Sequence, residues 1–214
     1  MAQEATVPGV EDERIARSIA AYGKNAREFQ EHLRHRRPLQ DVRRFAQLAD
    51  RGALVLDVGC GPASDLRSLR DRGLRPVGVD LAFGALEEAR MLLPRDPLVQ
   101  APYDRLPFRR RVFAGLWMNG AFAHLPRAAW RDTFALLLSH LDKGPVYFAC
   151  IRGSGDLQRV DDPILGEIYR SDATEEEVAA MLASHGIQDL RVEIHPDPLL
   201  DRERPWVIAL GRVL

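Results

Sequence analysis

Three features of this 214-residue chain predict a Rossmann-like, doubly wound α/β fold. A near-continuous apolar strand, "ALVLDV", runs to Val58, as expected where both faces of a parallel sheet are covered. A glycine turn, "GCGPA" (59–63), follows it and opens directly into a helix. Strand and helix patterns then alternate along the chain, which is the signature of parallel β-strands joined by helical crossovers.

Residues 1–10 read as a short flexible arm. From Glu11, the apolar positions Ile15, Ile19, Tyr22, Ala26, Phe29 and Leu33 recur every three or four residues and predict one amphipathic helix. Pro38 suits the first turn of a second helix carrying Leu39, Val42, Phe45, Ala46 and Ala49 inward, with Gly52 as its left-handed cap. After the first strand, a helix over 63–72 places Leu66 and Leu69 on one face and closes at Gly73. "RPVGVD" (75–80) is the second strand, and "AFGALEEARMLL" (82–93) a helix stopped by Pro94. "PLVQA" (97–101) and "VFAGLWMNG" (112–120) are the third and fourth strands. A helix over 128–141 turns Trp130, Phe134, Leu137, Leu138 and Leu141 inward, and "PVYFACI" (145–151) is the fifth strand. Residues 152–173 form the one long irregular connection, a candidate substrate loop. Thr174 with Glu177 makes a capping box for a helix ending before Gly186. "DLRVEIH" (189–195) and "PWVIALGRV" (205–213) close the chain as an antiparallel pair.

The totals bound the function classes. A chain of this length is expected to be a single domain burying about 70% of its unfolded surface. Net charge is −1, so no global field favours nucleic acid. The arginine clusters "RHRRP" (34–38) and "FRRRVF" (108–113) read as solvated faces. No apolar run reaches the roughly 18 residues of a membrane span and the N-terminus has no signal pattern, so the expectation is a cytoplasmic protein without membrane contact. Cys60 and Cys150 are far apart, form no metal-ligand spacing and fit a reduced compartment. No metal is expected.

The glycine loop carries the strongest functional signal. Gly59 permits a tight turn, and Gly61 lets the backbone approach a ligand that a Cβ would repel. Asp80 ends the second strand about twenty residues later, the spacing at which a carboxylate accepts hydrogen bonds from ribose hydroxyls. Dinucleotide sites rest a pyrophosphate on the following helix N-terminus. Here Asp65 occupies the first helical turn and Asp57 precedes the loop, and both repel phosphate. A phosphate-free nucleoside with a cationic group therefore fits better, and S-adenosylmethionine (SAM) has both.

At these residues the chain resembles the class I SAM-dependent methyltransferases. "VLDVGCGPA" is similar to that family's first motif and "VGVDL" to its second. "APYDRLPF" resembles the adenine segment, and "GLWMNGAFAHLP" the fourth-strand motif beside the reaction centre. The resemblance implies a seven-stranded sheet in order 3-2-1-4-5-7-6 with the last strand antiparallel, in a core over 52–214. Residues 1–51 would be an N-terminal helical lid. By position, Asp57, Gly59, Cys60 and Gly61 would line the methionine part of SAM, Asp80 the ribose, and Leu81, Ala101 and Tyr103 the adenine. Asn119 would lie near the sulfonium. Three departures stand out, one of them Pro102 where the family often has an acid that bonds the adenine amino group. Ala63 replaces the motif's third glycine, and Ala82 replaces a helix-capping hydroxyl at a cost of about 1 kcal/mol.

Methyl transfer from a sulfonium needs alignment above all, plus a base when the acceptor must lose a proton. His124, after the fourth strand, is the candidate catalytic base; the alternative is a histidine that merely fastens its turn. Tyr22, Trp117, Phe122 and Arg152 are candidate substrate contacts, each with a packing or surface alternative. Arg27 is a candidate partner for the cofactor's carboxylate. His32 and His35 are expected to face solvent, and His195 and Trp206 to be structural. The reading is transfer of a methyl group to an oxygen or nitrogen of a small-molecule acceptor. The alternatives are a nucleic-acid methyltransferase or a non-catalytic SAM-binding regulatory protein. A monomer and a homodimer both remain open.

Overall fold

The computed structural model describes residues 11–33, 38–196 and 205–214. The 1–10 arm, His35 with the arginines around it, and the link between the last two strands lie outside the described residues. Helices α1 (Glu13–Lys24), α2 (Ala26–Leu33) and α3 (Leu39–Leu48) precede the sheet. The core then runs β1 (Leu54–Val58), α4 (Ser64–Asp71), β2 (Arg75–Asp80), α5 (Phe83–Leu92), β3 (Leu98–Gln100) and β4 (Leu116–Asn119). A 3-10 turn (Ala121–His124), α6 (Arg127–Leu138) and β5 (Gly144–Ile151) follow. Next come β6 (Gln158–Asp162), β7 (Gly166–Arg170), α7 (Glu175–Ser184), β8 (Gln188–His195) and β9 (Trp206–Val213).

Seven strands form one sheet in the order β3-β2-β1-β4-β5-β9-β8. The five strands from β3 to β5 pair in parallel, while β9 pairs antiparallel with both β5 and β8. Since β6 and β7 pair only with each other, this is the expected 3-2-1-4-5-7-6 order. The strand period of two sorts side chains onto two buried faces. Leu56, Val58, Met118, Val146 and Phe148 pack with Trp130 and Phe134 of α6 and Val178 and Met181 of α7. Val55, Trp117, Tyr147 and Ala149 pack on the other face with Val42 and Phe45 of α3 and Leu69 of α4.

Four details depart from the sequence expectations. The predicted first helix is two helices, broken at Asn25, whose side-chain amide donates to the Ala21 carbonyl (3.0 Å) and to that of Leu165 (3.3 Å). An amide that bonds locally competes with the helical ladder, a contest that the apolar period does not register. Gly52 is left-handed (φ +79°), but it turns the chain into β1 after α3 has already ended at Leu48. The fourth strand is shorter than read, because Phe113 makes only an isolated bridge to Leu141 before β4 begins. Finally, residues 152–173 are not irregular. They hold the β6–β7 hairpin, whose turn is closed by the Asp162 carboxylate accepting from the Ile164 and Leu165 amides at 2.9 Å each.

The N-terminal helix lies across the carboxyl-end side of the core, held among others by a hydrogen bond at Ser18 and a close backbone approach at Gly23. Ser18 Oγ accepts the Tyr169 amide of β7 at 2.9 Å. Gly23 of α1 meets Gly84 of α5 so closely that a Cβ on Gly84 would fall 2.3 Å from the Gly23 carbonyl oxygen. Two backbones that touch cannot yield as a flexible side chain would. Gly84→Ala is therefore expected to lower stability by about 1–3 kcal/mol and to loosen α1. Chemical denaturation and hydrogen exchange over residues 13–24 check this. Gly52→Ala serves as the comparison: a Cβ there meets nothing within 4 Å, so it carries only the left-handed backbone strain of about 1–2 kcal/mol and leaves exchange over residues 13–24 unchanged.

Candidate active site

The site begins at the end of β1. Asp57 is buried on the α3–α4 face beside Trp117, its register partner on β4. Its Oδ2 atom has no hydrogen-bond partner. Burial, reinforced by the charges of Asp65 and Asp80, holds the Asp57 carboxyl well above the usual carboxylate range. An unpartnered acid of this kind is what a cationic ligand would satisfy.

The chain then bends through Gly59 (φ +67°) and Gly61 (φ +50°). A Cβ on Gly59 would collide with the Tyr103 hydroxyl at 2.7 Å, so part of the demand for glycine comes from the protein itself. A Cβ on Gly61 would meet no protein atom and would project into open space, where a ligand can approach the backbone. Ala63 occupies the third-glycine position in the same left-handed region (φ +66°), a strain of roughly 1–2 kcal/mol for a residue with a Cβ. Its methyl is fully buried beside Leu66 and Leu86, which offsets part of that strain.

Asp80, at the tip of β2, clamps this loop. One carboxylate oxygen accepts the Gly61 amide and the other the Ala82 amide, each at 2.8 Å. The second bond satisfies the amide at the start of α5, where the sequence lacks a capping hydroxyl. Each oxygen keeps further lone-pair capacity. Burial pushes the Asp80 carboxyl up, and these two backbone donors oppose the shift.

Above the loop lies a cavity of ≈ 990 Å³. Gly59, Cys60, Gly61, Asp80, Leu81, Tyr103, Asn119, His124 and Tyr22 all line it. The structure thus brings most of the candidate residues together. Asp57 lies buried beneath the loop, and Ala101 packs into the core next to β3 rather than lining the cavity.

Three candidate substrate residues do not line it. Trp117 is fully buried, stacked on Tyr147 at 3.7 Å, with its indole N–H donated to Asp65 (3.0 Å). Phe122 is likewise in the core, edge-on to Phe148 and Trp130. Arg152 forms a two-point ion pair with Glu175 at the surface. Their large or charged side chains near strand ends suggested contacts that packing and pairing have taken instead. Arg27 is mostly exposed near Glu31 and does not line the cavity either.

His124 is oriented from outside its own turn. Nδ1 lies 2.7 Å from the Tyr169 carbonyl, an oxygen that can only accept, so Nδ1 carries the proton and Nε2 the lone pair. The ring packs edge-on to Tyr22 at 5.0 Å, and Tyr22 edge-on to Phe29. Burial first, with the nearby Arg170 charge, lowers the His124 pKa to about 4, so the ring is neutral at pH 7.

Several site residues escape sequence reasoning. Asp65, read as a helix-start acid, accepts from both Trp117 and Asn119 (2.8 Å) and so ties α4 to β4. His32, expected at the surface, lines the cavity, as do Asp41 and His195. Ile164, Ile168 and Arg170 enter from the hairpin. The turn signals in "DDPILGE" could have revealed that hairpin. No group of three or more His, Cys, Asp or Glu is placed to hold a metal among the described residues, and none of their helices is long and apolar enough to cross a membrane.

Comparison with known proteins agrees with this geometry. Residues 55–144 match the family model described as a methyltransferase domain. Malonyl-[acyl-carrier protein] O-methyltransferase of Enterobacter lignolyticus is 34% identical over 113 residues, which are 53% of this chain and 44% of that protein. The chain spans less than half the length of the curated relatives it matches. Among solved structures, the DhpI complex with S-adenosylhomocysteine (SAH) superposes with a TM-score of 0.70 at 17% identity, over 94% of this chain and 97% of that one. The 1,6-didemethyltoxoflavin-N1-methyltransferase of Burkholderia thailandensis gives 0.58 at 23% identity, over 91% and 78%. Sheet order, glycine loop and the solved neighbours together show the fold of the class I SAM-dependent methyltransferases, and the match over residues 55–144 is to a methyltransferase domain.

Proposed function

We propose that this protein is a SAM-dependent methyltransferase that modifies an oxygen or nitrogen of a small-molecule acceptor. The observation that carries the reading is the pairing of a preformed glycine cradle, clamped by Asp80, with an unpartnered buried carboxylate at Asp57. Both features suit a phosphate-free adenosyl ligand with a cationic end. The sulfonium supplies an electrophilic methyl group, whose transfer leaves a neutral thioether.

In this reading the spare lone pairs of Asp80 take the ribose hydroxyls, Leu81 and Tyr103 flank the base, and Asp57 faces the ammonium through the loop. Asn119, held by Asp65, positions the sulfonium end. The acceptor occupies the part of the cavity lined by Tyr22, His124 and the hairpin, where α1, α2 and the hairpin exclude water. Helices α1 and α2 act as a lid on the core. His124 Nε2 accepts the proton that an O–H or N–H acceptor releases, while Tyr169 holds the ring at Nδ1. The named substrates of the relatives are 1,6-didemethyltoxoflavin, a free small molecule, and a malonyl group borne on acyl-carrier protein, and both present a small group to be methylated. Among the described residues, Arg170 is the only arginine or lysine lining the cavity, which offers no basic track for a nucleic-acid backbone.

Calorimetry tests the cofactor half. SAM and SAH bind the wild type, and Gly61→Val removes binding by filling the cradle and straining a left-handed backbone. Equal affinity in the variant would overturn the site. Asp80→Asn is preferred to Asp80→Ala for the ribose test. Removing both acceptors would strand two backbone amides, at about 1–3 kcal/mol each.

A cationic ligand pulls the raised Asp57 pKa down, so binding releases a proton and affinity rises with pH until Asp57 ionises without ligand. Titrations in buffers of different ionisation enthalpy measure that proton, and Asp57→Asn abolishes it.

For His124→Ala, turnover falls by about 10²–10⁴ with SAH affinity kept; unchanged turnover would return His124 to a fastening role. The lowered His124 pKa also has a stability consequence. The folded ring resists protonation, so its contribution is complete above pH 6.5 and is lost as pH falls through 6.5 towards about 4. Denaturation midpoints of wild type and His124→Gln between pH 7 and 4 check this, with the smaller pH dependence expected in the variant.

A further inference from the structure

The methyltransferase reading leaves one buried charge unexplained. Arg170 ends β7, on the same strand face as Ile168, and both residues line the cavity. Its side chain is 9% exposed, yet its guanidinium is poorly used. Nε donates to Asp172 Oδ1 at 2.8 Å, and Nη2 is buried without any partner. The second Asp172 oxygen accepts from Gln158 Nε2 at 3.0 Å rather than from the guanidinium, so the Arg170–Asp172 pairing is one-point. Buried guanidinium nitrogens are normally satisfied, so an orphan beside a cavity calls for a ligand.

The surrounding structure holds Arg170 firmly at this place. The residue before it gives its carbonyl to His124, and its amide to Ser18 Oγ of α1. The residue after it donates its amide to the Ala123 carbonyl at 2.7 Å, and its hydroxyl to that of Leu125, also at 2.7 Å. The chain is thus pinned on both sides of the guanidinium, next to the candidate base. Arg170 also contributes to the charge felt at His124, which places the two groups close together. Of the eight acids that line the same cavity among the described residues, four are already engaged by other groups. Asp12 pairs with Arg14, Asp65 with Trp117 and Asn119, Asp80 with two backbone amides, and Asp162 with its own turn.

We propose that Arg170 is a specificity residue that receives a carboxylate of the methyl acceptor. The planar fork matches a carboxylate by two parallel hydrogen bonds, a geometry that Asp172 leaves incomplete. The assignment rests on the methyltransferase reading for the identity of the cavity, and it says nothing about which acceptor atom takes the methyl group.

The test uses the whole protein saturated with SAH, with succinate as probe, its neutral diamide as control and inorganic phosphate as a second anion. Succinate is expected to bind and raise the melting temperature, with the diamide and phosphate giving little or no shift. Arg170→Met is expected to weaken succinate at least fivefold while leaving SAH affinity within twofold. If Arg170→Met does not fold because Asp172 is left unpaired, Arg170→Met with Asp172→Asn removes both charges and replaces it. No succinate binding to wild type, equal shifts from the diamide, equal binding by phosphate, or succinate binding unchanged in the variant would each overturn the proposal. A tenfold loss of SAH affinity in the variant would also overturn it, since the guanidinium would then be holding the donor's own carboxylate. If wild type fails to bind SAH, the methyltransferase reading falls. The same succinate titration without SAH still decides the role of Arg170.

Discussion

The arrangement of the site depends on one carboxylate reaching across two strands. Asp80, at the end of β2, holds the amide of Gly61 in the loop after β1 and the amide of Ala82 at the start of α5. Without it, the loop after β1 and the start of α5 would each leave a backbone donor unsatisfied where they converge at the sheet's carboxyl edge. With it, the left-handed bends at Gly59, Gly61 and Ala63 are set before any ligand arrives. A preformed cradle spares a ligand the cost of ordering the loop.

A second set of polar bonds builds the roof. The hairpin is anchored to the turn after β4 through His124, Ala123 and Leu125, and to α1 through Ser18. These contacts join segments as far as 151 residues apart in sequence. They also decide the His124 tautomer, because the partner is a carbonyl that accepts and never donates. The candidate base is therefore oriented by the same hairpin that carries Arg170, and both line one cavity. The cavity floor is polar, with Asp65 and Asp80 already bonded within the protein, whereas α1 and the hairpin contribute Ile15, Ile19, Ile164 and Ile168. This division suits an acceptor with an apolar body.

Acids dominate the floor, and their energetic effects differ. Asp65 serves as a strut, its charge spent on the indole of Trp117 and the amide of Asn119. Asp80 is a clamp. Asp57 alone of the three has a buried oxygen without a partner, and the other two acids make its ionised form harder to hold. Like charges crowded in a buried place are unfavourable unless a cation completes them. The loop thus stores a demand for positive charge at one end of the cradle.

Much of this was legible in the sequence, because local rules dominate there. The strand–glycine–helix–strand–acid order from Leu54 to Asp80 fixes a parallel crossover unit and its ligand edge, and the Thr174–Glu177 capping box and the closing strand pair are equally local. What the sequence could not decide was which of several plausible partners a side chain would find. Trp117 and Arg152 sit at strand ends, as substrate contacts often do, but stacking on Tyr147 and pairing with Glu175 claimed them. His32 and Arg170 instead face the cavity, on elements whose orientation is set by Asn25 breaking a helix and by a hairpin concealed in an apparent loop. Periodicity reports which face of an element is apolar, and spacing reports which backbone turns are possible. Only the packing of distant elements determines which polar groups meet, because those meetings depend on contacts that no short window of sequence contains.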